Sequence, residues 1–334
     1  MKKRFIIAVI KYYLPFLSKI KKSNIFVKNK YNEIKHKANA KYSYSVWLRH
    51  LVIIESLGLD INWDIIAELG PGDSLGVGIM GILTGSDKYY ALDVTKHLSV
   101  EDNISMVDEL VNLLLNQTDI PDDKELPRVH PKLNSYEFPR GILKNRIINN
   151  VNEIKIKRIK ESLKSAKPMN GKIPSIIEYF CPWDDNNIIK KKSVDLIFSQ
   201  AVLEHVEKLE HTYKSMYDWL KDGGIISHQI DFKSHGSSEK WNGHWSYSDF
   251  IWKIITHYNL GGINREPLSV HLKLMKKVGF NIISVIPFED YNMDDLSPFH
   301  YQKSIDCHKL SNRFKSITED DFHTCNAHIV AEKL

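Results

Sequence analysis

At 334 residues, with 43% hydrophobic and 26% charged side chains, the chain has the make-up of a globular protein able to bury a substantial core. Its three cysteines, Cys181, Cys307 and Cys325, are scattered and form no CxxC pair, which argues against a disulfide framework or a structural zinc site and fits a reducing compartment. The net charge of +5 conceals twelve Lys/Arg against one acid (Glu33) in residues 1–41, a local +11 that leaves −6 on the remainder, so a nucleic-acid-binding domain with a basic face is excluded.

Residues 1–37 read as a basic, amphipathic, helical extension. In its first twenty residues Lys2, Lys3, Arg4, Lys11 and Lys19 interleave with Phe5, Ile6, Ile7, Val9, Tyr12, Phe16 and Leu17. Lys11 and Pro15 interrupt the apolar run too early for it to span a bilayer, and no small-residue cleavage site follows it. Cations beside large apolar groups suit peripheral contact of residues 1–22 with an anionic membrane surface. The alternative is a helix packed on the domain with its lysines solvated. Residues 38–334 form one domain in this reading. It opens with a helix over 38–59 carrying Tyr44, Val46, Trp47, Leu51 and Ile54, and Gly58 stops that helix.

The next segment, Asp64-Ile65-Ile66-Ala67-Glu68-Leu69-Gly70-Pro71-Gly72-Asp73-Ser74-Leu75-Gly76, predicts a buried parallel strand, a glycine bend and a helix through Leu83. Glycines at 70 and 72 allow a sharp turn and close approach of a ligand, and the helix start offers unpaired N–H groups. A pyrophosphate would be repelled by Glu68 just before the bend, whereas an ammonium group would be welcome. The following strand, 88–93, ends in Asp93, a carboxylate suited to both hydroxyls of a ribose. An amine-bearing nucleoside without phosphate describes S-adenosylmethionine. Here the chain resembles the class I S-adenosylmethionine-dependent methyltransferases, whose hallmark is E/D-x-G-x-G followed by an acid ending the second strand.

A long insertion, 94–174, separates that strand from the next at 175–180. Val107, Leu110, Val111 and Leu114 predict one helix in it, prolines 121, 127, 131 and 139 then break the chain, and 142–163 resumes helical spacing. Such an insertion is expected to cap or shape a substrate site, the alternative being a solvated hairpin. The resemblance deepens at Asp195-Leu196-Ile197-Phe198-Ser199-Gln200-Ala201-Val202-Leu203-Glu204-His205-Val206, which looks like the family's fourth-strand signature, with a helix opening at Ala201 and running to about Leu220. Gly223-Gly224 predicts a turn into a strand over 225–231. A polar, aromatic stretch, 232–266, reads as a substrate-side lid, followed by a helix over 267–278 and strands at 280–287 and 323–331. The implied fold is α/β, a Rossmann-like seven-stranded class I methyltransferase sheet with helices on both faces.

The resemblance implies S-adenosylmethionine as cofactor and assigns its contacts. Glu68 and the Gly70–Gly72 backbone take the methionine part, Asp93 the ribose, Trp183 and Asp184 the adenine, with Pro71, Ser74, Val94, Ser199 and Gln200 also among the cofactor-binding residues at the carboxyl ends of the strands. Trp183 departs from the family pattern, occupying the usual place of the adenine-contacting acid. For an oxygen nucleophile a general base is expected among His205, His228, Asp231, His235 and His244. No metal is assigned, although His228, Asp231 and His235 offer mixed ligands for a divalent cation. The stretch 241–247 with Arg265 and His271 suits sugar recognition, rings covering C–H faces and polar groups fixing hydroxyls, or else a lid of packed tryptophans. It resembles the distal part of methyltransferases of bacterial surface-polysaccharide synthesis. The expected activity is O-methylation of a glycan or glycolipid intermediate by a cytoplasmic enzyme at the inner membrane face. The rivals are a lipid-like or quinone-type acceptor and a non-catalytic cofactor-binding subunit.

Overall fold

The computed structural model describes residues 39–59, 62–96, 98–165, 175–183, 185–257, 262–289 and 303–334. The basic extension with its membrane-contact reading lies outside these residues, as does Asp184. Among the described residues no helix is long and apolar enough to cross a membrane. In chain order the elements are α1 (Ala40–Ser56), β1 (Ile65–Leu69), α2 (Gly76–Leu83), β2 (Lys88–Leu92), α3 (Val100–Leu115), α4 (Arg140–Asn150), α5 (Glu153–Lys164), β3 (Ile177–Phe180), β4 (Val194–Gln200), α6 (Leu209–Trp219), β5 (Leu220–Asp231), α7 (Asp249–His257), α8 (Leu268–Val278), β6 (Phe280–Phe288), α9 (Glu319–His323) and β7 (Asn326–Lys333).

The chain divides into two compact units. The first comprises Lys37–Asp231, Val270–Pro287 and Ala327–Leu334. The second includes Phe232–Ser269 and Phe288–Asn326. One seven-stranded sheet runs in the order β3-β2-β1-β4-β5-β7-β6, and β3, β2, β1, β4 and β5 pair in parallel. β1 lies between β2 and β4, with Leu69 in register with Leu92 on one side and Ser199 on the other. Crossovers leave β1 and β4 in opposite directions, which opens a crevice at their carboxyl ends.

The inserted helices form a layer of the first unit rather than a detached cap. Met106, Val107, Leu110 and Leu114 of α3, Leu143 and Ile147 of α4, and Ile159 and Leu163 of α5 share one core with Ile66, Tyr89 and Ile177 of the sheet. The connection after β4 also differs from the expected helix. Ala201 has φ +53°, outside right-handed helical space, and its N–H donates to the Gln229 carbonyl at 3.0 Å. A short helical turn, Leu203–His205, follows, and α6 begins only at Leu209. β5 starts at Leu220 and absorbs the expected Gly223-Gly224 turn, with a register shift against β4 between Val194 and Leu196.

Helix α2 is buried along its whole length. A methyl group on Gly78 would come within 2.1–2.3 Å of three Tyr89 ring atoms, and Tyr89 is itself fully buried. Gly78→Ala is therefore expected to lower unfolding stability by about 3 kcal/mol, the upper end of overpacking costs, in denaturant titration. An unchanged midpoint would mean that the helix and the ring can part freely.

The 232–266 stretch shares a core with residues later in the chain. Trp241 and Trp245 pack with Ile305, Leu310, Phe314 and Cys325 into a separate core, so residues from beyond β6 complete the second unit.

Candidate active site

The crevice is built on the bend after β1. Gly70 and Gly72 have φ +63° and +69°, a region costly for any residue with a Cβ. The Gly70 N–H donates to the Leu92 carbonyl at 2.7 Å, and a Cβ there would strike Val202 at 2.6 Å. At Gly72 the same Cβ would meet nothing within 4 Å, so the bend faces open space on that side. Asp93, 6% exposed, ties the bend to the end of β2. Its Oδ2 accepts from the Gly72 N–H at 3.1 Å and its Oδ1 from the Val94 N–H at 2.7 Å. Val94 itself is 68% exposed. Pro71 lies half-buried within the bend, and Ser74 Oγ accepts from the Gly76 N–H at 3.1 Å.

Trp183 is fastened to the same corner. Its N–H donates to the Asp93 carbonyl at 3.0 Å, and its indole packs edge-on against Trp219 at 5.6 Å between ring centres. Ser199 is fully buried, and the half-buried Gln200 donates from Nε2 to the His130 carbonyl at 3.0 Å, which joins the insertion to the tip of β4. The bend, Asp93, Trp183, Ser199 and Gln200 thus converge at the carboxyl ends of β1, β2, β3 and β4.

Glu68, expected to take the methionine part of the cofactor, is nearly sealed from solvent. Only 4% exposed, its Oε2 accepts from the Tyr89 hydroxyl at 2.5 Å, and its carboxyl also accepts from the Gly78 N–H at the start of α2. Burial pushes its pKa up to about 8, against the downward pull of those two donors and with a further upward push from the Asp93 charge. Tyr89 carried no sequence signal beyond its place in a strand, and its role is visible only once β2 lies beside β1.

The five base candidates differ in burial. His205 is exposed and Asp231, at the end of β5, is half-buried, both in the first unit. His228 in the same unit is fully buried, and its Nδ1 is 2.8 Å from Ser199 Oγ. Burial first, then His50 and His271, lower its pKa to about 3, so it is a neutral core group rather than a base on the rim. His235 and His244 belong to the second unit. His235 is half-buried with φ +47°, whereas His244 is 1% exposed with its ring 5.0 Å from Trp245.

The sugar platform expected at 241–247 is not built as an open surface. Trp241 and Trp245 are 1% and 0% exposed, so their faces are taken up by the core of the second unit. Arg265 lies over Trp252 at 4.7 Å and donates to the Tyr247 carbonyl at 2.8 Å and to Asp249 at 2.7 Å. His271 is buried in the first unit against the Tyr213 hydroxyl at 2.8 Å. Sequence pattern could not separate a ring that greets a ligand from a ring that greets a neighbour.

Residues 123–285 match the family model described as a methyltransferase domain, a match that begins downstream of the glycine bend. Among curated proteins none matches the chain. Solved structures similar to it include an S-adenosylmethionine-dependent methyltransferase from Mesorhizobium loti, with 12% identity over 85% of this chain and 98% of that one, at a TM-score of 0.41. Another is phosphoethanolamine N-methyltransferase 2 of Haemonchus contortus with S-adenosyl-L-methionine, with 11% identity over 92% of this chain and 60% of that one, at a TM-score of 0.41. The sheet order is that of the class I methyltransferase fold, and S-adenosylmethionine is the cofactor expected in it. The residues present suit such a group: the bend is open at Gly72, and two carboxyl groups flank it with, among the described residues, no cationic side chain hydrogen-bonded to either.

Proposed function

We propose that this S-adenosylmethionine-dependent methyltransferase methylates a hydroxyl group, with a glycan or glycolipid as the acceptor class. The observation that supports the oxygen chemistry is the placement of two side chains at the carboxyl ends of the strands, the exposed His205 after β4 and the half-buried Asp231 at the tip of β5. The cofactor supplies an electrophilic methyl on a sulfonium. The chain's own part is to align the acceptor oxygen and to accept its proton. In this reading Asp93 holds the ribose, Glu68 and the Gly70–Gly72 backbone face the methionine end, and Trp183 borders the adenine.

His205→Ala is expected to lower kcat about a hundredfold while leaving S-adenosylhomocysteine affinity unchanged, because an exposed base touches the acceptor proton and not the cofactor. An unaltered kcat removes His205 and leaves Asp231→Asn as the variant to measure. The acceptor class is tested by incubating the enzyme with methyl-labelled cofactor and bacterial extracts. Label in acid-stable methyl ethers of sugars supports the glycan reading. Label confined to organic-soluble acceptors replaces it with the lipid-like one, and label in neither, although cofactor binds, favours a binding subunit. The +11 charge of residues 1–41 supports contact with an anionic bilayer. The full chain is expected to co-sediment with vesicles of anionic phospholipid at low salt and to be released as salt rises. Equal recovery with neutral vesicles removes that contact.

A further inference from the structure

Glu68 and Tyr89 meet where β1, β2 and α2 pack together, and nothing in the sequence marks them as a pair. The Tyr89 ring is clamped beneath Gly78, which leaves its hydroxyl a single direction, toward Glu68 Oε2 at 2.5 Å. Both side chains are nearly sealed from water, Tyr89 at 0% and Glu68 at 4% exposure. The groups that face this pair are the Gly78 N–H from α2, Asp93 at the tip of β2 and Tyr179 on β3, and no cation is among them. An ionised Glu68 here is a buried negative charge close to a second carboxylate, steadied by two hydrogen-bond donors.

We propose that Tyr89 is a positioning residue of the cofactor site, its hydroxyl fixing the Glu68 carboxyl so that binding of the cationic cofactor expels a proton from Glu68. This rests on the reading that Glu68 faces the methionine end. The step balances simply: neutral Glu68 gives its proton to solvent, and the carboxylate that remains is compensated by the incoming ammonium group. The direction agrees with burial having raised the Glu68 pKa in the unliganded protein. Tyr89 keeps the cost of ionisation within reach by donating to the charged form.

The test uses calorimetric titration of the full chain with S-adenosylhomocysteine, which carries the ammonium group, in phosphate and in Tris between pH 6 and 8.5. The difference in heat between buffers is expected to show release of about one proton per ligand at pH 7, with affinity rising as pH increases toward 8. Tyr89→Phe removes the donor and is expected to move that bend upward by about one pH unit, weakening binding at pH 7.5 several-fold with little change in the slope below it. Glu68→Gln, which cannot ionise, is expected to bind weakly with no proton release, and it carries the test should Tyr89→Phe fold poorly. Tight binding with no proton released, or a Tyr89→Phe profile that overlays the parent, overturns the inference and leaves the cofactor assignment intact. If S-adenosylhomocysteine fails to bind at all, the cofactor assignment falls and this inference falls with it.

Discussion

Between pH 7.5 and 5.5 the protein is expected to lose several kcal/mol of unfolding stability, well above the range in which carboxylates titrate. The cause is a set of imidazoles buried in the first unit. His50 Nδ1 lies 2.7 Å from Ser227 Oγ, which lies 3.0 Å from His328 Nε2, while the two ring nitrogens are 3.3 Å apart. That triangle closes with one N–H, one hydroxyl and one lone pair, so only one of the two facing nitrogens carries a hydrogen. A proton added to the nitrogen that holds the lone pair would set two N–H groups against each other in a site sealed from solvent, and one on the far nitrogen of either ring would be a buried charge. His228 beside Ser199 and His271 beside Tyr213 are as deeply buried.

Burial is the leading cause in all four. It lowers His50 to about 4, against a smaller upward pull from Gln200, lowers His228 and His271 to about 3, and pushes His328 well down with help from His50 and His228. The unfolded chain takes up protons on these rings below 6.5, the ordinary histidine value, whereas the folded chain holds His50, His228 and His271 neutral down to pH 3–4 and His328 neutral well below its ordinary value. Their stabilisation is therefore complete above pH 6.5 and drains away as pH falls. The loss is about 1.4 kcal/mol per ring per pH unit, and about 5 kcal/mol per unit for the four together. A net stability of about 5–15 kcal/mol does not survive much of that. Urea titrations at the two pH values check it, and His328→Gln should flatten the slope. Equal stability at both would show that these rings gain protons without disturbing the fold.

Arg49→Met is expected to cost about 3–5 kcal/mol, because it strips the guanidinium from a fully packed pocket and leaves its partners stranded. Arg49 in α1 is 0% exposed. Its guanidinium donates to the carbonyls of Pro121 (3.0 Å), Val129 (3.0 Å) and Pro131 (2.7 Å), its Nε to Ser45 Oγ (3.0 Å), and Nη1 lies 3.4 Å from Asp123. Three carbonyls from separate points of the 116–139 connection meet at one side chain, so this cation stands in for the backbone pairing that an irregular segment lacks. Methionine fills similar volume but satisfies none of them, and Arg49→Lys cannot span the fork. Beyond the lowered midpoint, trypsin should cut after the exposed Lys124 and Arg128 far faster than in the parent. Gln200 at the tip of β4 also holds the His130 carbonyl of this segment, so the loosening should reach the end of that strand. Parental stability with a protected segment would show that the clamp is redundant.

The sequence by itself determined the sheet and the glycine bend that ends its first strand. Strands buried on both faces read as apolar runs, and the bend at Gly70 and Gly72 with Asp93 one strand later is local chemistry that needs no distant partner to recognise. The helices of 94–174 were legible too, but not their destination, since an amphipathic face does not say which surface covers it. Only the tertiary structure decided that His228 and His244 are core groups, that Trp241 and Trp245 turn inward, and that 288–326 completes a second unit. It also decided that Glu68 meets Tyr89, and that His50, Ser227 and His328 meet across 278 positions of chain. The physical reason is common to all of these: burial and hydrogen-bond partnership are properties of three-dimensional neighbours. A histidine or tryptophan has the same composition, spacing and propensity whether it faces a ligand or a wall.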